Sequence, residues 1–145
     1  MAQIKSAGER AVDRLPKVIS PSTHAALDYL IVGATFLTGA GLWNRHRRAA
    51  VTALAAGVSE LGTILSTKFP GGVFPGMSFV RHAQVSMGQS AALAAAPMLL
   101  GFGRGQGAWL FPAHAALIGI VDAMTDFKAG PSNRADDDRI LGIGA

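Results

Sequence analysis

The sequence predicts an all-α fold: a four-transmembrane-helix bundle built from two tandem helix-pair repeats, with a short amphipathic N-terminal helix. Three observations predict it. Only 15% of the 145 residues are Asp, Glu, Lys or Arg, against roughly 25% in soluble domains. These charges are segregated, with none between Tyr29 and Asn44, between Ala49 and Ser59, or between Gly105 and Val121. Four apolar stretches, 24–43, 49–67, 83–102 and 108–127, each reach the length of about 20 residues that a hydrocarbon core demands. A small soluble bundle needs a wet polar face on every helix, and these stretches offer none.

Each element follows from local chemistry. In residues 2–15, Ile4, Ala7, Ala11 and Leu15 recur at helical spacing. Lys5, Glu9, Arg10, Asp13 and Arg14 occupy the other faces, and Pro16 ends the pattern. Residues 1–20 therefore form an amphipathic arm, either lying in the membrane interface or solvated. Ser20-Pro21-Ser22-Thr23 supplies the cap and turn chemistry that starts the first spanning helix. Asn44 to Arg48 make a short loop, so helices one and two are expected to be antiparallel neighbours. The connection from Lys68 to Arg81 is longer and carries the turn signals Phe69-Pro70-Gly71-Gly72 and Phe74-Pro75-Gly76. Gly103 to Gly107 form the third loop. The membrane domain spans 21–128, with repeat one at 21–72 and repeat two at 79–128. The tail, 129–145, carries Asp136, Asp137 and Asp138 and is expected to be solvated.

The repeat rests on a slide of the sequence against itself. A shift of 58 places His24 on His82, Asp28 on Ser86 and Leu42 on Leu100. In the second helix a shift of 62 places Gly57-Val58-Ser59-Glu60 on Gly119-Ile120-Val121-Asp122. Two helices per unit preserve the membrane topology, so a pseudo-two-fold axis along the membrane normal is expected. The segments Thr23-His24-Ala25-Ala26-Leu27-Asp28 and Ala96-Pro97-Met98-Leu99-Leu100-Gly101-Phe102 resemble small bacterial four-helix membrane proteins of the SPW-repeat type and their uncharacterised relatives. The resemblance covers most of Pro21 to Phe127, although Ser86 replaces the second Asp and the Ser-Pro-Trp triplet is missing. It implies a fold and a membrane location, and no activity.

Composition excludes several classes. The net charge of +4 does not indicate nucleic acid, because the basic residues lie in tails and loops, where they meet lipid headgroups and set orientation. No basic stripe with interleaved aromatics is present. Absence of cysteine removes disulfides, thiolate ligands and Cys nucleophiles. Residues 1–20 mix charges of both signs and lack the apolar run of a secretory signal peptide. With both termini on one side, that side holds nine Lys and Arg against four on the other. The bias favours cytoplasmic termini in the cell (inner) membrane, with Arg45, Arg47 and Arg48 as the opposing cluster.

Ionisable groups inside apolar helices are costly, so they tend to be paired or functional. At about 1.5 Å per residue, His24 and His82 start helices on one side of the membrane, and Glu60 and Asp122 lie roughly 8–10 Å inside that side. His24, Asp28, Glu60, His82, Gln89 and Asp122 are expected to converge within the bundle. Glu60, the deepest acid of the first half, is expected to hydrogen-bond a polar group on helix one or three. Small residues at Ala49, Ala53 and Gly57, and at Gly88, Ala92 and Ala96, are expected to allow close helix approach. Such a cluster suits a divalent metal, axial ligation of a b-type haem, a proton relay, or plain interhelical hydrogen bonding. No spacing marks a catalytic nucleophile, and no enzymatic chemistry is expected. The leading expectation is a structural or accessory subunit packing against lipids, other membrane subunits or a second copy. The alternatives are a metal- or haem-binding redox protein and an oligomeric ion or proton transporter.

Overall fold

The computed structural model describes residues 15–105 and 107–130. The arm expected over 2–15 lies, apart from Leu15, outside the described residues, as does the tail beyond Gly130. The described residues form four α-helices and no strand: α1 (Pro21–Leu42), α2 (Arg47–Leu65), α3 (Phe79–Leu99) and α4 (Leu110–Met124), followed by a 3-10 turn, Phe127–Ala129. Of these, α1 and α2 are long and apolar enough to cross a membrane. At 21 residues α3 has the length, but Arg81, Gln84, Gln89 and other polar side chains lower its hydropathy. The fourth helix is apolar but only 15 residues long.

The starts of α1 and α3 are set by serine. Ser20 has extended backbone and its Oγ accepts from the Thr23 amide at 3.2 Å, satisfying a donor that no helical carbonyl can reach. Pro21 follows at the first helical position, where its missing N–H costs nothing. Ser78 repeats the cap on α3, accepting from the Arg81 amide at 3.2 Å. The end of α3 is a Schellman turn. Gly101 takes φ of 72°, and the Phe102 amide donates back to the Pro97 carbonyl at 2.9 Å.

Packing is densest within two hairpins, α1 on α2 and α3 on α4. A Cβ at Gly39 would lie 2.7 Å from Leu54 Cγ, so glycine sets the approach of α1 to α2. Ala49, Ala53 and Gly57 are buried in this hairpin, as their spacing predicts. The second small-residue stripe differs. Gly88 and Ala92 are exposed, a Cβ on Gly88 meets nothing within 4 Å, and only Ala96 is buried. Bulkier Leu93 is the residue that enters the core from this part of α3.

The hairpins cross-connect through matching backbone bridges. The Ile19 amide donates to Met124 O at 3.0 Å, and the Met77 amide donates to Ser66 O at 2.9 Å. The Asp126 amide donates to Ile19 O at 3.1 Å, and the Lys68 amide donates to Met77 O at 2.8 Å. Each pair of equivalents is separated by 58, which is the shift of the histidines. Thr67 is therefore the equivalent of Thr125, and Glu60 falls level with Ile118. The shift of 62 expected for the second helix is corrected by four residues. Four residues are about one helical turn, so an Ala- and Gly-rich helix reads almost alike at either shift.

The surface is inverted relative to a soluble bundle. Leu37 is 74% exposed, Val58 63%, Met87 69% and Ile120 56%, whereas His24 and His82 are 0% and 2% exposed. Beyond Gln84 every exposed residue of α3 is apolar, and so is every exposed residue of α4.

Candidate metal centre

The polar centre sits where α1 and α3 begin and α2 and α4 end. His24 is four residues into α1, and His82 occupies the same place in α3. Asp28, one turn beyond His24, projects from the same face of α1. Three phenylalanines wall the site. Phe79 and Phe127 pack edge-on to the His24 ring with centroids 5.2 Å away, and Phe69 lies 5.5 Å from the His82 ring.

The hydrogen bonds place a proton on Nδ1 of both rings. The Thr125 hydroxyl donates to Val121 O at 2.7 Å, and the Thr67 hydroxyl donates to Thr63 O at 2.6 Å. A hydroxyl has one proton, so each threonine can only accept from its histidine. His24 Nδ1 therefore donates to Thr125 Oγ1 at 2.8 Å, and His82 Nδ1 donates to Thr67 Oγ1 at 2.9 Å. With the neutral rings protonated at Nδ1, both Nε2 atoms present lone pairs.

Those lone pairs converge. The two Nε2 atoms are 3.3 Å apart. Asp28 Oδ2 is 3.2 Å from His24 Nε2 and 3.4 Å from His82 Nε2. This oxygen is buried and accepts no hydrogen bond from the described residues. With both rings neutral, the three atoms form a nearly equilateral triangle with no donor among them. A cation bound tetrahedrally at about 2.0–2.1 Å has ligand–ligand edges of about 3.3–3.4 Å. Asp122 Oδ1 stands at the rim, 3.9 Å from His24 Nε2, and Ser86 faces its carboxylate.

The other two residues expected at the centre lie beside it. Glu60 lines a groove of about 330 Å³ between α2 and α3, together with Thr52, Ala56, Gln89, Ala92 and Ala96. Its carboxylate has no hydrogen-bond or ion-pair partner among the described residues, contrary to the expected bond to helix one or three. Gln89 spends its amide donors on Ser59 at 2.8 Å and Thr63 at 3.0 Å. Glu60 precedes Thr67, and Gln89 follows His82, by seven residues, about 10 Å along each helix, so both lie beyond the triangle. Thr67 and Thr125 are the residues that sequence reasoning missed in this role. Their separation of 58, equal to that of the histidines, is the signal that identifies them.

The haem expectation does not fit. Axial imidazoles lie on opposite sides of a flat macrocycle. Here both Nε2 atoms share one face with a carboxylate, and phenylalanine rings fill the space around them. No family model, curated protein or solved structure matches the chain.

Proposed function

We propose that this chain is a small integral membrane protein whose four helices all cross the bilayer and whose interior centre binds a divalent transition metal. The observation that carries the metal reading is the triangle of His24 Nε2, His82 Nε2 and Asp28 Oδ2, three buried ligand atoms within 3.4 Å of one another. With both rings neutral, three lone pairs at this spacing repel one another until a proton or a metal ion sits among them. Imidazole and carboxylate donors suit a first-row dication. The Thr–His pairs act as an outer shell that orients each ring and fixes its tautomer.

The membrane reading rests on the inverted surface, with apolar side chains outward on all four helices and the titratable groups inside. Resemblance to the SPW-repeat-type proteins supports the same architecture. At 15 residues α4 spans about 22 Å, so the bilayer thins beside it or flanking residues complete the crossing. The Lys and Arg bias supports cytoplasmic termini. A purely structural or accessory subunit explains the apolar faces and would hold a proton between an imidazole and Asp28, where the metal reading puts the dication.

The test is metal titration of the detergent-purified chain after chelator treatment. One Zn2+ per chain is expected, with His24→Ala and Asp28→Asn each weakening uptake at least about tenfold. A helical, folded wild-type chain that takes up no Zn2+ overturns the metal reading, and the centre is then a proton-holding pair.

A further inference from the structure

We propose, resting on that metal reading, that Asp122 is the fourth ligand and that the bound dication fastens the two helical hairpins to each other. The provenance of the ligands is the first argument. His24 and Asp28 belong to the first hairpin, while His82 and Asp122 belong to the second. A metal held by all four is a cross-link with two bonds to each side.

Geometry is the second argument. Asp122 Oδ1 is 3.9 Å from His24 Nε2, beyond the edge of about 3.3–3.4 Å that a tetrahedral site requires. The ligand atoms of His24, Asp28 and His82 lie within 4.8 Å of one another, so Asp122 joins them by a change in its side-chain torsions that carries the carboxylate inward by more than about an ångström. Ser86 is the hydrogen-bonding neighbour of the Asp122 carboxylate, and a short serine on the adjacent helix can follow or release the carboxylate as it turns toward the triangle. The repeat explains why the ligand comes from α4. Ser86 stands at the position equivalent to Asp28 and is too short to serve as a carboxylate, and Asp122 faces it.

Charge is the third argument. Two carboxylates and two neutral imidazoles carry a charge that one dication cancels. A monovalent or trivalent ion would leave a net charge in an apolar bundle, where such charge is expensive. Two nitrogen donors at this spacing favour Zn2+ or Co2+. Mg2+ demands octahedral oxygen ligation and Ca2+ takes six to eight oxygens at longer range. With four protein ligands the site is closed, which is the form of structural rather than catalytic zinc centres.

The packing shows what the cross-link does. Contacts are dense within each hairpin and sparse between them, and the groove of about 330 Å³ runs along the α2–α3 seam. Ala56, Ala92 and Ala96 leave that seam unfilled. Lipid competes with side chains for such a surface, so helix association there lacks a hydrophobic drive. The metal replaces the missing contact.

Two measurements on the full chain in detergent test this. In the first, the chain is loaded with Co2+ and its visible absorption recorded. Intense four-coordinate bands are expected. Asp122→Asn should still take up Co2+, with affinity lower by about 10–100-fold and the bands altered. Weak six-coordinate bands in the wild type, or a spectrum and affinity unchanged by Asp122→Asn, overturn the fourth ligand. In the second, the chain has no native cysteine, so spin labels go onto Ala55→Cys and Ala113→Cys, exposed positions on α2 and α4. A narrow distance distribution with Zn2+ is expected to broaden on chelation. A control pair within the first hairpin, Ala34→Cys and Ala55→Cys, should stay narrow. Zn2+ uptake with an inter-hairpin distribution that chelation leaves unchanged overturns the fastening and leaves the metal reading standing. Absence of any uptake overturns both.

Discussion

At the scale of single residues, the centre depends on where two hydroxyl protons go. Thr67 and Thr125 give theirs to helix carbonyls one turn back, which makes them acceptors toward the histidines. The consequence is specific. Thr67→Val or Thr125→Val keeps the shape but leaves a histidine Nδ1 without its acceptor, so the ring is free to change tautomer and withdraw its Nε2 lone pair. Each substitution is expected to lower Zn2+ affinity about 10–100-fold while helical content is retained. Competition titration against a zinc indicator, alongside circular dichroism, checks this. Glu60→Gln should change Zn2+ affinity by less than about twofold, because Glu60 faces the groove and not the triangle. Of the six residues that the sequence singled out, the histidines and Asp28 meet directly, Asp122 stands at the rim, and Glu60 and Gln89 lie aside. His24 and His82 were legible because each is a helix-initial histidine in an apolar span. Glu60 was not placeable, because its depth is readable from the sequence but its rotation about the helix is not.

At the scale of elements, caps and glycines decide where helices begin, end and touch. The serine caps of α1 and α3 were legible in Ser20-Pro21-Ser22-Thr23, and Ser78 repeats the same chemistry 58 residues later. The two small-residue stripes were not separable by composition. Gly39→Val tests the close approach of α1 to α2, which tolerates no side chain there. Its Cβ would meet Leu54 at 2.7 Å, so α1 and α2 must part, at a cost of about 1–3 kcal/mol. Gly88→Ala meets open space and should cost nothing beyond experimental error. Reversible unfolding in mixed detergent micelles, followed by circular dichroism, distinguishes the two.

At the scale of the whole molecule, the surface argues for lipid and the loops argue for orientation. Arg47 stacks over Trp43 with its guanidinium carbon 3.8 Å from the ring, at the end of the bundle opposite the histidines. An aromatic and a cation so joined suit a membrane interface. Four crossings predict that the protein stays in the membrane fraction through alkaline carbonate. Cytoplasmic termini predict that Arg104→Cys, in the third loop, reacts with an impermeant maleimide added to intact cells, whereas Phe74→Cys, in the second, does not. Labelling of Phe74→Cys alone reverses the orientation.

By itself the sequence determined the helical class, the positions of four helices to within a few residues, and the identity of the titratable groups in their interiors. These depend on local composition and on spacing along the chain, which hydropathy and capping chemistry report directly. The tertiary structure alone decided that the second helix of each half aligns at 58, that threonine rather than glutamate faces each histidine, and that two imidazoles and one carboxylate meet within 3.4 Å of one another. Ala- and Gly-rich helices slide by a turn with little change in pattern, so their register is set by packing across the bundle. The cross-hairpin bridges of Ile19 and Met77 supply that register, and no property local to α2 or α4 encodes it.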